Sequence, residues 1–253
     1  MPPIHSHLAD WRRARAAMER AGDTVGFVPT MGALHAGHRS LLERARRENS
    51  RVVLSIFVNP TQFDDPADLA RYPRTLDADR ALADGLADCI LAPSAAELYP
   101  DNYDYRVTEG RLSTQREGAH RLGHFDGVLT VVLKLLNLVR PHRAYFGEKD
   151  RQQLELVSGM AAALFLPVEI VACPTVREED GLALSSRNRR LSTAGRKQAA
   201  AFPRHLRESP SAAVAVTRLH EAGFAVDYVE DHGGVRLGAV RLEGVRLIDN
   251  VRL

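Results

Sequence analysis

Apolar and polar positions alternate along the first 175 residues in blocks of strand length and helix length. Residues 25–28 form a short apolar run. Residues 52–58 (VVLSIFV) are nearly all apolar, as in a strand buried on both faces. Residues 89–91, 143–146 and 168–171 add three more short runs. Helix-spaced stretches lie at 38–47, 76–85 and 150–164. Residues 128–139 (VLTVVLKLLNLV) are apolar on most sides and long enough for a buried helix. The N-terminal stretch LADWRRARAAMER reads as a short amphipathic helix with Leu8, Trp11 and Met18 toward the core. Strands alternating with helices predict an α/β fold, a Rossmann-like parallel sheet with helices on both faces.

The rhythm changes after Asn188. Residues 191–206 are polar and helix-like, a loop follows around Pro210, and 214–222 read as another helix. Three strand-like runs close the chain at 224–230, 235–242 and 245–248, separated by turn signals at Gly233-Gly234 and Glu243-Gly244. The expected organisation is a larger domain over 1–188 and a smaller α+β C-terminal domain over 189–253. No internal repeat or low-complexity tract interrupts either part.

Composition narrows the function classes. The chain has 253 residues, 45% hydrophobic and 26% charged, which is enough for a substantial core. A net charge of +2 with dispersed arginines and no basic stripe carrying aromatics argues against nucleic acid. Cys89 and Cys173 fit neither a metal spacing nor a disulfide framework and read as buried thiols in a reducing compartment. No apolar run is long enough to cross a membrane, and the N-terminus lacks an apolar signal region. The expectation is a cytoplasmic chain with no membrane partner.

Four segments carry the candidate chemistry, and ligands of open parallel sheets bind beyond the carboxyl ends of the strands. The first, FVPTMGALHAGH, ends an apolar run in Pro-Thr-Met-Gly and opens a helix on His35 and His38. Two imidazoles at a helix N-terminus, beside Gly37, make a phosphate cradle, although alone they equally describe a βα unit with surface histidines. The second, Asn59-Pro60-Thr61-Gln62-Phe63, offers neutral amides suited to a small polar substrate, or simply an Asn-Pro turn. The third is Phe146-Gly147-Glu148-Lys149-Asp150, followed by Arg151, Gln152 and Gln153. Lys149 suits a phosphate, and Asp150 suits either a helix N-cap or a ribose hydroxyl. The fourth, Leu182-Ala183-Leu184-Ser185-Ser186-Arg187-Asn188, is a second anion-binding element or a cap for the helix after it. Asp77 and Asp79 read as helix-surface charges.

These segments together resemble the HxGH nucleotidyltransferase superfamily and, more narrowly, the pantothenate synthetase (pantoate–β-alanine ligase) family. The likeness is carried by FVPTMGALHAGH, SIFVNPTQF, DLARYPRTLDAD, the stretch from GHFDGVLTVV to FGEKDRQQL, DGLALSSRN and the terminal RLIDN. It implies ATP-dependent condensation of (R)-pantoate with β-alanine to pantothenate, AMP and pyrophosphate, through a pantoyl adenylate. It also implies a catalytic set of His38 (as proton donor), His35, Lys149, Ser185, Ser186 and Arg187. The implied ATP site is lined by Met31, Gly32, Ala33, Leu34, His35, Ala36, Gly37, His38, Gly147, Glu148, Lys149, Asp150, Val176, Leu184, Ser185, Ser186 and Arg187. Gln62 and Gln153 are implied to hold pantoate, with Gln62 also near β-alanine, and Asn59 to orient a substrate or phosphate. Mg²⁺ is implied as arriving with ATP, without a dedicated protein metal site, and the assembly as a homodimer. Against the family pattern, Leu184 replaces a common methionine, His120 stands in the loop before the long apolar helix, and the C-terminal lid domain looks short between Leu191 and Phe224. Two other readings remain open on the residues: an adenylyl transferase for a phosphorylated acceptor such as phosphopantetheine, and a nucleotide-binding module without catalysis.

Overall fold

In the computed structural model, which describes residues 1–253, the chain starts with β1 (Ile4–His5), α1 (Leu8–Arg20), β2 (Val25–Thr30), α2 (Ala36–Glu48) and β3 (Arg51–Ile56). A 3₁₀ turn at Pro60–Gln62 and two short helices, α3 (Pro66–Ala70) and α4 (Leu76–Leu82), lead to β4 (Cys89–Leu91). Next come α5 (Ala95–Leu98), α6 (Glu117–His120), α7 (His124–Val139), β5 (Arg143–Gly147), α8 (Arg151–Ala163) and β6 (Glu169–Cys173). The rest comprises α9 (Thr193–Ala199), α10 (Ala201–Glu208), α11 (Ala212–Glu221) and the strands β7 (Ala225–His232), β8 (Val235–Leu242) and β9 (Val245–Arg252).

The first six strands form one sheet in the order β1-β4-β3-β2-β5-β6, every pair parallel. This is the expected Rossmann-like sheet. Its edge strand β1 falls in a stretch with no strand-like run and owes its place to pairing with β4 rather than to local pattern. The pleat sends successive side chains to opposite faces. Val25, Phe27 and Val53 enter one core with Trp11 and the apolar side of α7, while Val28, Val52 and Leu54 enter the other with Leu41 and Leu42 of α2. Leu8, Trp11 and Met18 do face the core. Arg15 of the same helix is buried too, donating to the Val139 and Arg140 carbonyls at the C-terminal end of α7, where a cation offsets the helix dipole. Strand order runs outward from β2 through β3 to one side and through β5 to the other, so the reversal falls between β2 and β5. That is where parallel sheets of this kind bind ligands.

The last three strands form an antiparallel meander, β7-β8-β9. Gly233-Gly234 and Glu243-Gly244 all have positive φ, the geometry that two-residue hairpin turns need. Its core is Phe202, Leu206, Leu219, Phe224, Val240 and Leu247, from α10, α11, the turn before β7 and the sheet. By contact density the chain divides into Met1–Gly147 with Gln152–Cys173, and Glu148–Arg151 with Pro174–Leu253. The division thus falls at Cys173, ahead of the boundary expected at 188. It also assigns the short Glu148–Arg151 segment to the second unit.

Candidate active site

At the end of β2 the chain turns through Gly32 and Ala33, both left-handed at φ +81 and +51. Glycine tolerates this, whereas for alanine it costs about 1–2 kcal/mol. The compensation comes from Asp79 of α4. Its Oδ2 accepts from the Ala33 N–H at 3.0 Å and its Oδ1 from the Leu34 N–H at 2.7 Å, while Thr75 Oγ1 adds a bond at 3.2 Å. Asp79 is 2% exposed. The surface-charge reading of Asp79 is therefore corrected: it is the buried anchor of the loop that leads into the histidines. Thr30 fastens the other side, its hydroxyl donating to the Ser55 carbonyl and accepting from the Gly32 N–H.

His35 is the N-cap of α2 rather than its first helical residue, and His38 is the third residue of the helix. They cap the helix reciprocally. His35 Nδ1 accepts from the Gly37 N–H at 3.1 Å, and His38 Nδ1 accepts from the His35 N–H at 3.3 Å. An imidazole nitrogen that accepts carries no proton, so in each neutral ring the proton sits on Nε2. The ring centroids are 4.1 Å apart. Two Nε2–H donors therefore accompany the positive end of a helix dipole, an arrangement made for anionic oxygens.

The NPTQF segment after β3 forms the 3₁₀ turn, with Asn59 as its N-cap. Asn59 Nδ2 donates to the Gly127 carbonyl at 3.1 Å and to Gln62 Oε1 at 3.0 Å, and Asn59 Oδ1 accepts from the Tyr99 and Thr61 hydroxyls. Burial pushes the Tyr99 phenol up to about 12, so it remains a donor throughout the physiological range. Gln62 is buried with its carbonyl oxygen satisfied, which leaves its Nε2 as a donor without a protein acceptor. Along α8, Gln152 and Gln153 divide their work. Gln152 is buried and staples the 112–117 loop through the Leu112 and Gln115 carbonyls and the Glu117 N–H. Gln153 is half-buried and its amide has no protein partner.

The second unit carries Glu148, Lys149, Asp150, Val176, Leu184, Ser185, Ser186 and Arg187. Lys149 sits in a 3₁₀ turn at Glu148–Asp150, so Asp150 ends that turn and does not cap a helix from outside. Its nearest ion partner is Asp150 at 3.9 Å, too far for a hydrogen bond. Asn250 Nδ2 donates to the Glu148 and Lys149 carbonyls at 2.8 and 3.0 Å, fixing the backbone from which Lys149 projects. Asp249 beside it forms a two-pronged ion pair with Arg177, and Arg177 also donates to the Gly181 and Asn250 carbonyls. This is the physical content of the terminal RLIDN. It ties the Lys149 turn to the 176–184 hairpin, in which Leu184 donates to the Val176 carbonyl and Arg177 pairs with Ala183. Ser185 then caps a 3₁₀ turn at Ser186–Arg190 through the Arg187 N–H, and buried Asn188 ties the turn back to the Ala183 carbonyl. Sequence reasoning missed Asp79, Asn250, Asp249 and Arg177. RLIDN was a usable signal for two of them, Asp249 and Asn250, only as a motif, since their partners lie far away in the chain. No group of three His, Cys, Asp or Glu side chains converges as a metal site.

A family model described as pantoate-beta-alanine ligase matches residues 3–252. A pantothenate synthetase of Bdellovibrio bacteriovorus is 55% identical over 249 residues, covering 98% of this chain and 97% of that protein. One from Legionella pneumophila strain Corby is 50% identical over 252 residues, covering 99% of both. Among solved structures, the pantoate-beta-alanine ligase of Francisella tularensis, complexed with beta-gamma ATP and beta-alanine, superposes with a TM-score of 0.94 at 36% identity. It covers 100% of this chain and 98% of that one. The pantothenate synthetase of Thermus thermophilus gives 0.88 at 46% identity, with 99% of each chain covered.

Proposed function

This chain belongs to the pantoate–β-alanine ligase family, and we propose that it condenses pantoate with β-alanine through a pantoyl adenylate formed from ATP. In the first step a pantoate carboxylate oxygen attacks the α-phosphorus, and the bond to the β-phosphate oxygen breaks to release pyrophosphate. In the second, the β-alanine amine attacks the anhydride carbonyl. The C–N bond forms, the C–O bond to AMP breaks, and the amine loses its proton. The carboxylate is already ionised at neutral pH, so the first step needs charge stabilisation and alignment more than a base.

The observation that carries this reading is the reciprocal histidine cap, whose two Nε2–H donors stand at the head of α2. We assign His35 and His38 to the ATP phosphates, with His38 as proton donor to the leaving oxygen. Lys149, Ser185, Ser186 and Arg187 are assigned to the charge developing on the triphosphate. Met31, Gly32, Ala33, Leu34, Gly147, Glu148, Asp150, Val176 and Leu184 are assigned to the nucleotide. Gln62 brings an Nε2 donor with no protein acceptor and Gln153 an amide with no protein partner, as pantoate hydroxyls and carboxylate require, and Gln62 also serves β-alanine. Mg²⁺ enters as part of the nucleotide substrate, held by phosphate and water oxygens. The working assembly is a cytoplasmic homodimer. Two buried cysteines outside any disulfide fit a reducing compartment.

Pantoate-dependent exchange of labelled pyrophosphate into ATP, measured without β-alanine, tests the first step. Exchange with pantoate and none with phosphopantetheine is the expected result. Exchange that ignores pantoate overturns the reading, and exchange with phosphopantetheine alone replaces it with the adenylyl-transferase alternative.

A further inference from the structure

The first turn of α7 lies directly on the Pro60–Gln62 turn. A methyl group on Gly127 would stand 2.4 Å from the Thr61 carbonyl oxygen and 2.7 Å from the Gln62 nitrogen, so only glycine allows this approach. Across that contact His124 Nδ1 meets the Gln62 carbonyl at 2.8 Å, and Arg121 Nη2 reaches the same oxygen at 3.3 Å. Arg121 Nη1 also lies 3.0 Å from His124 Nε2. A guanidinium has only donors, so Nε2 accepts, the ring is neutral, and its single proton is on Nδ1, from which it donates to Gln62. The side chain of Gln62 is oriented by a similar chain of necessity. The Gly127 carbonyl can only accept, so the amino group of Asn59 faces it. That same amino group then faces Gln62 Oε1, and Gln62 Nε2 is the one polar atom of the residue left to address a ligand. Main chain and side chain of Gln62 are thus held from opposite sides, by His124 with Arg121 and by Asn59.

We propose that His124, in its neutral Nδ1–H form and braced by Arg121, is a positioning residue that holds the Gln62 amide donor in register for the carboxylic acid substrate. It acts through Gln62 and does not touch substrate. The inference rests on the assignment of Gln62 to pantoate. The charged groups around the ring are Arg121, Glu117 and Asp64; burial and the Arg121 charge favour the neutral form and outweigh the opposing pull of the Gln62 carbonyl, Glu117 and Asp64.

The test is steady-state kinetics of the full-length enzyme for His124→Leu, His124→Asn, Gln62→Ala and the double variant His124→Leu/Gln62→Ala, with thermal melting to verify folding. Asparagine can place an N–H near the Nδ1 position, whereas leucine cannot donate. His124→Leu is expected to raise the KM for pantoate about tenfold, the equivalent of one good hydrogen bond. The KM for ATP should stay within about twofold and kcat should fall less than KM rises. His124→Asn should recover most of the loss, and His124→Leu should add nothing once Gln62 is alanine. Equal rises in both KM values, an effect that adds fully to Gln62→Ala, or no effect beside a raised KM in Gln62→Ala overturns the positioning role alone. A normal pantoate KM in Gln62→Ala removes the Gln62 assignment and the proposal with it. If His124→Leu does not fold, His124→Asn and His124→Gln decide, because glutamine places its amide near Nε2 instead. Asparagine must then outperform glutamine, and the reverse order overturns the role.

Discussion

Asp79→Asn removes one oxygen from the carboxylate that anchors the β2–α2 loop and leaves its shape unchanged. Two backbone N–H groups, of Ala33 and Leu34, currently each find their own carboxylate oxygen. An amide offers one carbonyl oxygen and one amino group, so one N–H must face another donor. Losing a charge-assisted bond costs about 1.5–3 kcal/mol, and the orphaned buried N–H carries a penalty of the same order. Burying a neutral amide instead of a carboxylate returns part of this, because Asp79 is 2% exposed and has no cationic partner among its bonds. The expected net loss is about 2 kcal/mol, which lowers Tm by about 4–8 °C for a chain of this length. The kinetic effect should be selective. The loop carries His35 as the α2 cap, so the kcat/KM for ATP should fall at least about tenfold while the KM for pantoate changes little. Calorimetry and kinetics on one preparation suffice. A Tm within about 1 °C of wild type together with an unchanged KM for ATP refutes the claim that Asp79 sets the histidine loop.

Asn250→Ala should lower kcat/KM for ATP about tenfold without moving the pantoate KM, because it frees the Glu148 and Lys149 carbonyls and loosens the Lys149 turn; varying one substrate at a time checks this. Gly127→Ala should destabilise the protein by at least about 2 kcal/mol in urea unfolding, since its methyl group meets backbone and not a flexible side chain. Stability should also fall as acid is added. Burial holds His124 at about 4 against an ordinary 6.5, so the unfolded chain takes up this proton first. The linkage is absent above pH 6.5 and costs about 2 kcal/mol between pH 7 and pH 5. The wild type should therefore lose about that much more stability over this interval than His124→Asn, as read by urea unfolding at both pH values.

The elements legible in the sequence are those whose cause is local. Glycine pairs at 233–234 and 243–244 dictate hairpin turns whatever surrounds them, and the apolar run at 52–58 demands burial on both faces. The histidines were legible as a helix start because the capping groups lie within three residues of each other. What escaped has a distant cause. Asp79 sits in LDADRAL among exposed charges, and nothing local separates it from Asp77; only the Ala33 and Leu34 amides across the fold do so. Buried Arg15 and Arg236 read as surface for the same reason. The burial of each is offset by partners elsewhere, the end of α7 for one, and Asp231 with the Leu206 and Ser209 carbonyls for the other. The affiliation of Glu148–Arg151 with the C-terminal unit likewise depends on Asn250, about a hundred residues away.

The fate of the pantoate carboxylate oxygen tests the adenylate most directly. With pantoate labelled by ¹⁸O in its carboxylate, one turnover with ATP and β-alanine should deliver one labelled oxygen to AMP. The oxygen that attacks the α-phosphorus leaves with it when the amine displaces AMP. Mass spectrometry of the isolated AMP reads this outcome. Unlabelled AMP with the isotope in phosphate or pyrophosphate would contradict attack at the α-phosphorus, and with it the mechanism assigned to the histidine cap.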